Sequence, residues 1–109
     1  MAIPHAKSDD VIDIRPLGPA LAGARTETLV KTPTLEIIRL IIPADKEICH
    51  HHEMVGEITV QCLEGQITVQ IDGDTRVLAA GEMLYLAGRE SHAIRGVDDA
   101  SVLLTILFR

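Results

Sequence analysis

The residues best suited to chemistry in this chain stand in one short run, His50-His51-His52. In an extended strand successive side chains point to opposite faces, so His50 and His52 share a face and His51 points away. Two imidazoles spaced this way can reach a single metal ion, as neutral nitrogen donors at about 2.0–2.1 Å for zinc. Glu57, just past a turn expected at Met54-Val55-Gly56, can return as an oxygen donor, and His92 opens a later strand. A metal held by such groups keeps open positions for water or a small substrate and acts as a Lewis acid.

Each of these residues has a plainer reading. A histidine run on a surface binds metal only adventitiously, and a carboxylate on an exposed strand face needs no explanation. Gln61 offers an amide oxygen, a poorer donor to a transition metal. Arg39, Arg76 and Arg95 can grip a substrate carboxylate through the guanidinium fork, although a solvated edge position is the commoner reason for an arginine in an apolar strand. Tyr85 has a hydroxyl to offer, but its strand reads as core. His5 reads as exposed. Cys49 and Cys62 read as reduced packing residues.

The elements that must position these groups are strands. Glu27–Lys31 and Leu35–Ile42 come first, parted by Thr32-Pro33, where proline interrupts a ladder. Apolar parity switches within Leu35–Ile42, which implies a bulge or burial on both faces. Lys46–His52 follows the turn Pro43-Ala44-Asp45. Gly56–Leu63 and Gln66–Ile71 alternate cleanly about Glu64-Gly65. Asp72-Gly73 is a strong hairpin signal, because both positions tolerate positive φ. Thr75–Leu78, Glu82–Leu86, His92–Arg95 and Ser101–Phe108 complete the series, with a loop at Ala87–Ser91. No segment has the three-and-four apolar spacing of a helix of ten or more residues. Short strands punctuated by turns specify an all-β sandwich or barrel.

Residues 1–25 differ: Pro4, Pro16, Pro19, Gly18 and Gly23 break any period, so this stretch reads as an N-terminal arm with one short strand near Val11–Ile14. Residues 26–109 form the barrel domain. At 109 residues the chain suits one domain. With 47% hydrophobic residues and only Tyr85 and Phe108 aromatic, the core must be aliphatic. A net charge of −6 with so few aromatics lacks the basic footprint and stacking platform of a nucleic-acid binder. No run reaches the roughly 20 apolar residues of a membrane span, and Met1–Asp10 has no signal-peptide-like stretch. A cytoplasmic protein, with neither nucleic acid nor membrane as partner, is expected.

The stretch His50-x-His52, four residues, Glu57, then Leu63-Glu64-Gly65 resembles the first cupin motif. Gly81-Glu82-Met83-Leu84-Tyr85-Leu86, with His92 eleven positions after the glycine, resembles the second. The similarity spans about residues 35–108. It implies a single-domain, RmlC-like antiparallel β-barrel (a double-stranded β-helix or jelly roll), as in uncharacterised bacterial cupins. It also implies a divalent metal (zinc, iron, manganese or nickel) held by His50, His52, Glu57 and His92. Two departures bear on the site. Seven residues separate Glu57 from Gly65 where the motif has six, so a bulge is needed near Glu57 to turn its carboxylate inward. Ala87, Arg89 and Gly96 stand where the second motif has proline, glycine and asparagine.

The resemblance admits dioxygenase, isomerase, decarboxylase or lyase chemistry, and fold alone does not choose among them. The leading expectation is a metal-binding cupin that acts on or recognises a small polar molecule, a small acid or diketone fitting an aliphatic pocket best. The alternative is a non-catalytic ligand-binding or sensing cupin without metal. A third reading is a structural barrel acting through its dimer surface. A homodimer is expected in any case, since the apolar strand Val102–Phe108 needs covering.

Overall fold

A computed structural model describes residues 5–50, 55–87 and 92–108, with His50 and Val55 described by backbone only. Among the described residues the alternating aliphatic runs form nine strands: β1 (Glu27–Lys31), β2 (Leu35–Ile42), β3 (Glu47–His50), β4 (Val55–Glu64), β5 (Gln66–Ile71), β6 (Asp74–Ala79), β7 (Met83–Leu86), β8 (His92–Gly96) and β9 (Ala100–Phe108). They pair antiparallel into a five-stranded sheet ordered β1-β2-β9-β4-β7 and a four-stranded sheet ordered β3-β8-β5-β6. Consecutive strands change sheet repeatedly, which gives the jelly-roll wrap expected from the strand spacing.

The two sheets close over an aliphatic core. Leu40 and Ile42 of β2, Ile58, Val60 and Cys62 of β4, Ile67 and Val69 of β5, Ile94 of β8, and Val102, Leu104 and Ile106 of β9 are all buried. Each such side chain contributes on the order of 1.5–3 kcal/mol by leaving water. β2 pairs with β9 without interruption from Leu35↔Leu107 to Ile42↔Ala100, so its parity switch reflects burial on both faces. Of the two alternatives, burial on both faces holds against β9, while the neighbouring β1 carries a bulge between Thr28 and Val30.

Two turns set the register. Asp72 and Gly73 both have positive φ (45° and 91°) and close the β5–β6 hairpin between the paired Ile71 and Asp74. Gly65, with φ 78°, carries the chain from β4 in one sheet to β5 in the other. A Cβ there would run into the Asp99 carbonyl oxygen and the Ala100 side chain, so backbone and space both demand glycine.

Before β1 the chain crosses the outer side of the five-stranded sheet. Residues 11–14 form no strand, correcting the strand expected near Val11–Ile14. The local regular element is a 3-10 helix at Gly18–Gly23, with Pro19 in its first turn. The proline fixes φ and has no amide to leave unpaired, which suits a helix start. Glu64 pins this segment: its carboxylate accepts the Leu17 amide (2.8 Å), the Gly18 amide (3.1 Å) and the Ser101 hydroxyl (2.6 Å). No helix among the described residues is long and apolar enough to cross a membrane.

Candidate functional site

The alternation of β8 points His92 and Ile94 inward and Ala93 and Arg95 outward. His92 is 3% exposed and stands in a wall otherwise built of Ile67, Val69, Ile71 and Ile94. Two strands flank it, with Ile71 of β5 in register on one side and His50 of β3 on the other. The backbone thus brings two of the four expected ligand positions, forty-two residues apart in sequence, to adjacent places on one sheet. His52 and His51 lie outside the described residues, as do residues 88–91, where a loop is expected from the sequence. Among the described residues no three His, Cys, Asp or Glu side chains come together.

Glu57 is placed elsewhere. The bulge that its spacing called for is present: between Val55↔Phe108 and Ile58↔Ile106, β4 carries one residue more than β9. Its effect is to bury Gly56 and Ile58 while leaving Glu57 exposed on the outside of the sheet. There the Glu57 carboxylate accepts a 2.7 Å hydrogen bond from the Tyr85 hydroxyl. The structure therefore does not bring Glu57 to His92. Gln61, paired with Met83 and Leu103, shares the outward parity of Glu57 and Thr59. Tyr85 is 57% exposed, which corrects its reading as core: β7 is an edge strand, and only Leu86 within it is buried.

Other expectations resolve more simply. Arg76 and Arg95 are exposed, and Arg95 lies 3.6 Å from Asp45. Arg39, read as a solvated strand cation, is buried to 8% exposure beneath the N-terminal arm, whose cover left no trace in the strand pattern. Both cysteines are free thiols, Cys49 exposed and Cys62 buried, and burial pushes the Cys62 thiol up from its ordinary pKa. By sequence Glu64 is only a turn residue. Burial opposes its ionisation, yet the two amides and the Ser101 hydroxyl together outweigh that and hold its carboxyl below the usual value.

With strand order, turn glycine and inward histidine in place, the comparisons decide the family. The cupin domain pattern matches residues 38–108. This chain belongs to the cupin family. The fold agrees with solved cupins: a cupin superfamily protein from Desulfitobacterium hafniense superposes with a TM-score of 0.76 at 17% identity, over 95% of this chain and 100% of that one. An RmlC-like cupin from Desulfovibrio desulfuricans is 25% identical, with a TM-score of 0.69 over 94% of this cupin and 97% of that chain. A conserved protein of unknown function from Streptococcus pyogenes is 22% identical, with a TM-score of 0.74 over 100% and 96% of the two chains. No curated protein matches this cupin in sequence.

Of the expected donors, the described side chain at this wall is the His92 imidazole. An imidazole nitrogen is a donor of the type that suits zinc, iron and nickel, and His92 is buried away from bulk water.

Proposed function

We propose that this cupin binds a small polar molecule inside its barrel, at a divalent metal held by His50, His52 and His92. The observation that carries the reading is the inward, buried His92 with the His50 backbone in register beside it. His52 follows two residues after His50 in the chain. Glu57 is left out of the set, its carboxylate being engaged with Tyr85 on the outside. When bound, such a metal supplies Lewis acidity to an oxygen-bearing ligand. The aliphatic residues around His92 exclude water and favour a compact acid or diketone over an extended sugar.

Elemental analysis of tag-free protein tests this. About one metal per chain is expected, lost in His92→Ala with the far-ultraviolet spectrum of the fold retained. Metal-free protein, or full metal content in His92→Ala, overturns it.

A second reading, binding without turnover, draws on a separate observation. Among the described residues the buried inward side chains of β4, β5, β8 and β9 are aliphatic apart from Cys62 and His92, and so offer no acid–base pair. Ligand-induced thermal stabilisation without product formation favours that reading.

The outer face of the five-stranded sheet exposes Met83 (62%), Tyr85 and Leu107 (43%). We propose that a second copy of this chain covers it, and that the free thiols reflect a reducing, cytoplasmic setting.

A further inference from the structure

Arg39 sits on the outward side of β2, in register with Glu27 of β1 and Leu103 of β9. Its Nη2 donates a 2.8 Å hydrogen bond to the Arg15 carbonyl of the arm. Its Nε is buried without a hydrogen-bond partner, and no ion pair among the described residues includes the guanidinium. The Asp13 and Glu64 carboxylates lie near enough to feel the Arg39 charge, but neither is bonded to the guanidinium, and a buried N–H without an acceptor is unfavourable.

Beside it an open cleft of about 660 Å³ runs between the arm and β1. Arg39, Arg25 and His5 line it, with Thr26, Thr28 and Glu27. The Thr26 oxygen already accepts the Ile41 amide, which leaves its hydroxyl hydrogen to donate into the cleft. Two arginines against one carboxylate leave the cleft net positive in a chain of net charge −6. A second cleft of about 350 Å³, which shares Arg39, Glu27 and Thr28 with the first, contains Asp10 and Asp13, so the positive character belongs to the larger one.

We propose that the larger cleft binds a small oxyanion, a carboxylate or a phosphate, with Arg39 as the buried anchor and Arg25 as the rim cation. The site lies on the outer side of the barrel wall, away from His92. An oxyanion there supplies the acceptor that the buried Nε of Arg39 lacks, and ties the arm to β1 and β2. Planar, multiple-donor recognition of this kind is what arginine does best.

Thermal unfolding and calorimetric titration with sodium phosphate and with sodium acetate, against sodium chloride at matched ionic strength, test the proposal. A saturable rise in Tm of about 5 °C at tenfold excess over Kd is expected with at least one oxyanion, and none with chloride. A response to phosphate alone identifies a phosphate site, and a response to acetate as well identifies a carboxylate site. Arg39→Met abolishes the response, Arg25→Gln weakens affinity roughly fivefold, and His92→Ala leaves it intact. No saturable response, an unchanged response in Arg39→Met, or its loss in His92→Ala overturns the proposal. Should Arg39→Met fail to fold, unchanged affinity in Arg25→Gln, whose side chain is exposed, overturns it equally.

Discussion

The Tyr85 hydroxyl donates a 2.7 Å hydrogen bond to the Glu57 carboxylate on the outside of the five-stranded sheet, joining β7 to the bulged start of β4. A carboxylate so engaged steadies the sheet edge and is taken away from the barrel interior. Glu57→Gln is expected to leave metal content unchanged and to cost about 0.5–1.5 kcal/mol in urea unfolding. Loss of metal in this variant returns Glu57 to the ligand set.

Glu64 makes stability depend on pH. Its carboxyl is held below the ordinary value of 4.5 in the folded state, despite burial, by the Leu17 and Gly18 amides and the Ser101 hydroxyl. A group with a lowered folded pKa stabilises the fold above its unfolded pKa and loses that contribution as pH falls through the folded one. Stability is therefore expected to fall from about pH 5 downward, less steeply in Glu64→Gln. Because Glu64 holds the arm, limited proteolysis within residues 11–24 should accelerate over the same range. An identical pH profile in Glu64→Gln contradicts this role.

At Gly65 two penalties coincide, positive φ and contact with the Asp99 carbonyl. Gly65→Ala is expected to cost about 2–4 kcal/mol, read as a lowered urea midpoint at constant m. A loss below about 0.5 kcal/mol would show that the turn relaxes freely.

The thiols should separate by reactivity. Cys49 is exposed, whereas the Cys62 Sγ is buried 3.5 Å from the carbonyl oxygens of Glu64 and Gly65. Ellman's reagent should modify one thiol quickly and the second only on unfolding, since the thiolate is the nucleophile and burial suppresses it. Rapid modification of both in folded protein is the contrary result.

Self-association is checked by sedimentation. Wild-type protein is expected to sediment as a dimer, and the double variant Met83→Glu/Leu107→Glu as a monomer with its fold intact. A wild-type monomer at tens of micromolar removes the dimer proposal.

Much of the fold was legible because its signals are local. Ile67, Val69 and Ile71 alternate with polar neighbours, Asp72-Gly73 announces its hairpin, and Gly65 stands where only a turn fits. At the histidines, the alternation of β8 accounts for the inward face of His92, whereas the register that sets the His50 backbone beside it has no local signal. What escaped was set by distant chain. Arg39 is buried by a segment without periodicity, and Glu64 acts through amides forty-six and forty-seven residues away. The outward turn of Glu57 depended on how the bulge shares its two residues between faces, which residue counting does not determine.

The hairpin at Asp72-Gly73 has a practical side. A Cβ on Gly73 would meet nothing within 4 Å, and the flanking Asp74 and Thr75 are exposed. That tip can accept a grafted epitope, a spin label or an inserted peptide, and because Ile71 just before it pairs with His92, a label there reports on the histidine wall from the sheet opposite the arginine cleft.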